Sequence, residues 1–170
     1  MIDDQPRYCL GFVFRDLKDD PAVCLYVKEK GSMHAGMLNG LGGKIETTDL
    51  SPIAAMEREW AEESGWDTHF KSAPPVVRWR RAIDITFADS FSHVHVFGGV
   101  VQPKKNVRIG NPPSDRAKWV LIAHSCFPRT GGRGGLAPHT GWLIKYCLEA
   151  ERLDLGCSQF VIGSERAYGG

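Results

Sequence analysis

Between Arg58 and Trp66 the chain reads Arg-Glu-Trp-Ala-Glu-Glu-Ser-Gly-Trp, which places Glu59, Glu62 and Glu63 within five consecutive residues. On a helix, at about 100° per residue, the three acids fall on one arc. There they repel one another by roughly a few tenths of a kcal/mol per pair. A solvated helix face with an Arg58–Glu62 i,i+4 pair is the plain account of such a run. A hard divalent cation is the chemical one, because Mg²⁺ takes oxygen ligands and tolerates retained water. The glycine-bearing segment Gly42-Gly43-Lys44 stands a short way upstream. A metal held beside such a loop suits phosphate chemistry, where it neutralises phosphate charge and lowers the pKa of an attacking water.

These side chains need a helix to carry them. Ser51 is a hydroxyl N-cap followed by Pro52 at the first helical position, which predicts a helix to about Ser64 with Gly65 as its stop. Ile53, Met56 and Trp60 fall on the neighbouring arc and are expected to bury against a sheet, leaving the carboxylates at the edge of the buried face. Upstream, Tyr8, Leu10, Phe12 and Phe14 alternate with Cys9, Gly11 and Val13 as one strand; Val23, Leu25 and Val27 mark a second. Residues 30–37 read as a loop, and Leu38–Glu46 as a short extended segment broken by glycines. Downstream, strands are expected at Val76–Ile85, Ser92–Val101 and Ala117–Ile122. Leu143, Tyr146, Ala150 and Leu153 carry helical spacing over Pro138–Leu153, and residues 156–170 are weakly patterned. The expected class is α+β, a mixed β-sheet sandwiched between helices.

Composition sets the bounds. A chain of 170 residues with 42% apolar and 24% charged residues suits a single compact domain. A formal charge of +1 supplies no global field for nucleic acid or a membrane surface, so any electrostatic specialisation is local. Met-Ile-Asp-Asp-Gln-Pro has neither a basic start nor an apolar core, and no apolar run is long enough for a bilayer. The cysteines (Cys9, Cys24, Cys126, Cys147 and Cys157) are odd in number and form no C-x-x-C, which favours buried reduced thiols over disulfides or a zinc ribbon. A cytoplasmic protein is expected.

Residues 42–66, GGKIETTDLSPIAAMEREWAEESGW, resemble the box of the Nudix hydrolase family, G-x5-E-x7-R-E-U-x-E-E-x-G-U with U a bulky apolar residue. Arg58, Glu59, Trp60, Glu62, Glu63, Gly65 and Trp66 match every specified position of its second half. The first half departs. Counted forward from Gly43 the family's first glutamate falls on Asp49; counted back from Arg58 it falls on Leu50, so one residue is inserted. In the family that glutamate mainly helps hold the box arginine, and Asp49 is the nearest substitute.

The resemblance implies a Nudix domain over 1–153 with a tail at 154–170. It implies a catalytic set of Arg58, Glu59, Glu62 and Glu63. Glu59 and Glu63 would be the principal Mg²⁺ ligands, with Mn²⁺ as a substitute; Glu62 would be a further ligand or proton acceptor, and the Gly42 carbonyl often also binds. Arg58 would orient a glutamate, and Lys44 would lie near the phosphates.

The likeness extends to substrate-binding positions. MLNGLGGK, Met37 to Lys44, is similar to the W-N-G-F-G-G-K segment of MutT-like, 8-oxo-dGTP diphosphatase-like members, whose asparagine bonds the base; Asn39 is its counterpart. His93–Phe97 and Trp119-Val120 resemble strands of the same subgroup. The W-P-D-D turn of that subgroup corresponds to Ala137–Thr140, which lacks both aspartates. Asp115 stands beside the position of a further family acid and is a substrate-binding candidate or a solvated loop acid. The S-Q-P-W-P-F-P-x-S array of NADH hydrolases is absent. The implied function is Mg²⁺-dependent hydrolysis of a nucleoside triphosphate or related nucleotide at a pyrophosphate bond. The alternatives are a dinucleotide polyphosphate or ADP-ribose-type substrate, or a non-catalytic nucleotide sensor. The partner is a small-molecule nucleotide, without membrane or evident nucleic-acid binding, and a homodimer stays open.

Three further groups have two readings each. His93 and His95 share a strand face as a zinc pair or as site- or solvent-facing histidines. Arg78 and Arg80 share another, towards a substrate or as an exposed cationic face. Arg129 and Arg133 form a lid or belong to a mobile loop.

Overall fold

The computed structural model describes residues 6–18, 21–31, 34–66, 75–88, 90, 92–102, 110–122 and 134–162. Period-two apolar alternation builds the strands: β1 (Arg7–Phe14), β2 (Ala22–Val27), β4 (Val77–Phe87), β5 (Ser92–Val101) and β6 (Ala117–Leu121), with a two-residue β3 (Leu38–Asn39). Helix α1 spans Pro52–Ser64 and α2 spans Thr140–Leu153. The strand order is β3-β2-β1-β5-β4-β7, with β6 also on β2; β7 is Ser158–Ile162. The sheet is mixed: β1 runs parallel to β5 and β4 parallel to β7, while β4 and β5 are antiparallel.

The two faces of β1 go to two cores. Phe12 and Phe14 join Val96, Leu143, Ile144 and Cys147 under α2. Cys9 and Val13 join Met56, Trp60 and Phe97 under α1. Gly11 is needed at that contact, since a Cβ there would lie 2.6 Å from Met56 Sδ. A register shift between Arg81 and Ile83 lets Ala82 and Ile83, consecutive in sequence, both enter the α2-side core.

Several expectations are corrected. Ile53 is 42% exposed, so the buried stripe of α1 rests on Ala55, Met56 and Trp60. The fourth strand begins at Val77 and extends to Phe87. Ser158–Ile162, within the weakly patterned segment, forms β7 beside β4. Arg78 and Arg80 neither meet the candidate site nor stand free. Arg78 Nη2 donates to the buried Glu151 carboxylate at 2.8 Å, while Arg80 lies 3.7 Å from it and also reaches Asp154, so both pin α2 to β4. Cys9, Cys24 and Cys147 are buried free thiols and Cys157 is exposed. Cys126, Arg129 and Arg133 lie outside the described residues. Among the described residues no helix is long and apolar enough to cross a membrane.

Candidate functional site

The glutamate-bearing helix is set by its ends. Ser51 Oγ accepts from Ala54 N at 3.1 Å, Pro52 opens the first turn, and Gly65 ends the helix at φ 79° with its N–H on the Glu62 carbonyl. With Met56 and Trp60 buried, Glu59 and Glu63 lie at the edge of the packed face, while the Glu62 side chain is 50% exposed.

The segment before the helix is held against β1. Gly11 N donates to Leu41 O at 2.7 Å, and Cys9 N donates to Gly43 O at 2.9 Å. Both glycines that follow are dictated by space. Gly42 has φ 143°, and a Cβ there would lie 2.2 Å from Cys9 O; one on Gly43 would lie 2.6 Å from Glu59 Oε1. The Gly42 N–H donates to Glu63 Oε2 at 2.7 Å. Loop backbone and helix carboxylates therefore converge on one spot.

Arg58 organises the acids. Its Nε and Nη2 donate to Asp49 Oδ1 and Oδ2 at 3.1 and 3.0 Å, a two-pronged contact. Nη1 donates to Glu59 Oε1 at 2.8 Å and Glu62 Oε2 at 3.2 Å, and Nη2 also reaches Lys44 O at 3.2 Å. The turn that delivers Asp49 closes through Asp49 N to Glu46 O and Glu46 N to Asp49 Oδ2. Leu50, the competing position by counting, is 97% exposed. The extra residue is thus absorbed in a turn that leaves a carboxylate on Arg58, and the Arg58 donors hold Asp49 below the usual carboxylate range.

Lys28, just beyond β2, was not foreseen. Its Nζ donates to Gly42 O at 3.0 Å and Glu63 Oε1 at 3.2 Å. No motif marks it, because only the sheet brings it to the loop. Burial pushes the Glu63 carboxyl up to about 7, against the pull of Lys28 and the Gly42 N–H, with the neighbouring Glu59 charge adding to the rise.

Among the described residues no three His, Cys, Asp or Glu side chains are grouped as a metal cluster. Instead Glu59 and Glu62 accept from Arg58, and Glu63 from Lys28 and Gly42. The donor chemistry nonetheless fits a hard cation. Two carboxylates flank the Gly42-Gly43 backbone, and an ammonium already sits on two oxygens of the expected set, Gly42 O and Glu63 Oε1.

A cavity of about 630 Å³ opens from this spot, with Lys28, Gly42 and Gly43 in its lining. Tyr8, Leu10, Phe87, Trp142 and Leu143 supply apolar walls, and His34, Asn39, His139 and Thr140 the polar groups. No Asp or Glu is among the described lining residues. Asn39 Oδ1 accepts from Gly40 N and from Thr140 Oγ1, each at 2.8 Å. Lys44 and Asp115 are exposed and outside the lining; the loop carrying Asp115 is tied to the end of α1 by Ser114 N to Ser64 O at 2.9 Å. His93 and His95 line a smaller cavity of about 270 Å³ with Arg81 and Asp84. His95 Nδ1 lies 2.9 Å from Asp84 Oδ1, and His93 Nδ1 lies 3.0 Å from Thr86 Oγ1. Trp119 donates to Gly110 O and lies under the Arg15 guanidinium, away from the larger cavity's lining.

A family model described as NUDIX domain matches residues 6–135. No curated protein matches the chain in sequence. Among solved structures, the NUDIX domain of Shewanella oneidensis NrtR complexed with ADP ribose is similar at a TM-score of 0.56 and 19% identity, covering 89% of this chain and 90% of that one. A NUDIX hydrolase from Nitrosomonas europaea is similar at 0.59 and 10% identity, over 95% of this chain and 81% of that one. An ADP-ribose pyrophosphatase from Streptococcus suis is similar at 0.55 and 14%, over 91% and 98%. At such identities the likeness is one of fold.

Proposed function

The chain belongs to the Nudix family, and on that premise we propose that it hydrolyses a pyrophosphate bond of a nucleoside triphosphate or related nucleotide, releasing a nucleoside monophosphate and pyrophosphate. The observation that carries this reading is the convergence of the Glu59 and Glu63 carboxylates on the Gly42-Gly43 backbone at the mouth of a largely apolar cavity. Glu59, Glu63 and the Gly42 carbonyl would hold Mg²⁺ or Mn²⁺, with the half-exposed Glu62 as a further ligand or proton acceptor. When bound, the cation supplies charge neutralisation for the phosphates and a lowered pKa for the attacking water. Arg58, anchored by Asp49, keeps Glu59 and Glu62 oriented. Lys44, next to Gly43, would reach the phosphates from the exposed side of the loop. Asn39 and the apolar walls would hold the base and exclude water around it. Asp115 has no part in this reading.

The base-reading carboxylates of the 8-oxopurine subgroup have no counterpart among the described lining residues. Selectivity for 8-oxo-dGTP is therefore left out of the proposal. The experiment incubates the protein with Mg²⁺ and a panel of 8-oxo-dGTP, ordinary dNTPs, diadenosine polyphosphates and ADP-ribose, and follows release of phosphate, pyrophosphate and the nucleotide products by chromatography. Release by the native chain and its loss in Glu63→Gln is the expected result. Binding without release, or release that survives Glu63→Gln, would overturn the proposal in favour of a non-catalytic nucleotide sensor or a different site.

A further inference from the structure

The orientation of the Asn39 amide is fixed by chemistry. A backbone N–H only donates, so the 2.8 Å contact from Gly40 N identifies the atom it meets as the carbonyl oxygen. Thr140 Oγ1 lies 2.8 Å from that same oxygen and must also donate. An amide oxygen has two lone pairs, and both are now used. The Asn39 Nδ2 group has no hydrogen-bond partner among the described residues and is not among the fully buried unpaired polar atoms, and Asn39 lines the cavity, which leaves Nδ2 as the amide group with hydrogen-bonding capacity to spare there.

Thr140 is held in this role. It is 1% exposed, its N–H donates to Ala137 O at 3.0 Å, and Ala137 N donates in turn to Leu38 O at 2.9 Å, beside Asn39. The hydroxyl is thus fixed on the Asn39 oxygen from a segment far away in sequence.

We propose that the Thr140–Asn39 contact makes this cavity select heterocycles that present an oxo group over those that present an amino group, with Thr140 as the positioning residue. The inference rests on the nucleotide reading above. Asn39 can donate to a ring carbonyl. It cannot accept from an exocyclic amine, because its oxygen is saturated, and an amine placed there would meet the amide NH₂ donor to donor. No carboxylate among the described lining residues offers a substitute acceptor. A 6-oxopurine therefore satisfies the site and a 6-aminopurine leaves donors unpaired.

The test titrates inosine and adenosine 5′-monophosphates against the full chain by calorimetry, in parallel with Mg²⁺-dependent turnover of the triphosphate panel. The native chain should bind the inosine form about tenfold more tightly, the scale of one hydrogen bond gained or lost. Thr140→Val frees a lone pair on Asn39 and should bring the ratio to about two or below. Thr140→Ser keeps the hydroxyl and should keep the preference. Should Thr140→Val fold poorly, Asn39→Asp serves, since an acceptor in place of the donor should reverse the preference. Equal binding by the native chain, or a ratio unmoved in both Thr140→Val and Asn39→Asp, overturns the inference. If the panel is hydrolysed while the ratio stays unmoved, the selectivity claim fails alone. If neither monophosphate binds and nothing is hydrolysed, the nucleotide reading fails and the inference with it.

Discussion

The glutamate end, beside the larger cavity, and the amide end, in its lining, are built in opposite ways. At the glutamate end, Gly42, Asp49, Arg58, Glu59 and Glu63 come from one loop–helix unit, and their contacts span 21 residues or fewer. At the amide end, Asn39 and Thr140 are 101 residues apart and meet only through the sheet. The first end is charged and tightly cross-bonded. The second carries neutral polar groups in the cavity lining. A cap, a turn and one arginine orient Glu59 and Glu62 within this local unit, and only Glu63 draws on a distant group, Lys28 at the end of β2. A recognition surface for a flat, apolar ligand needs walls from several elements, so it depends on long-range packing.

That contrast can be broken at graded cost. Removal of divalent cations with a chelator should abolish turnover, and Mg²⁺ or Mn²⁺ should restore it; Glu63→Gln should lower kcat by at least about 100-fold with an unchanged circular dichroism spectrum. Persistence of turnover in chelator would remove the glutamate end from the chemistry altogether. Gly42→Ala comes next. Its Cβ would clash with Cys9 O at a φ of 143°, so roughly 2 kcal/mol of stability should be lost, read as a melting temperature lower by roughly 4–8 °C.

Asp49→Ala should reduce kcat roughly 10-fold by releasing the Arg58 fork, while Leu50→Glu, at a 97% exposed position, should change it by less than about twofold. The reverse result would assign the family's first glutamate to position 50. Thr140→Val should have the smallest effect on kcat, within about twofold, and act on base preference alone. A large fall in kcat for that variant would mean that the two ends are not separable.

Legibility followed the same division. The helix ends were readable because Ser51, Pro52 and Gly65 act through neighbouring backbone groups. Counting placed the family's first glutamate on Asp49 or Leu50, with Asp49 the nearest substitute, but it carried no geometry for the contact with Arg58. The turn closed by Glu46 and Asp49 decided it. Ile53 was expected to bury from helical phase alone, but the buried stripe is narrower than that phase suggests. The shared face of Arg78 and Arg80 followed from strand alternation, whereas their partner Glu151 belongs to α2 and carries no local signature. Lys28 and β7 were silent for a related reason. A lone lysine and five weakly patterned residues acquire meaning only from the neighbours that the sheet supplies.

By itself the sequence determined the acidic helix, its boundaries, the glycines beside it and the α+β class. Caps, period-two alternation and i,i+4 proximity act over a few residues and are written where they act. The tertiary structure alone decided that an ammonium from β2's end lies on Glu63 and that Thr140 saturates the Asn39 oxygen. Those contacts depend on strand register and on which helix covers which face, and such choices are settled by the packing of the whole sheet.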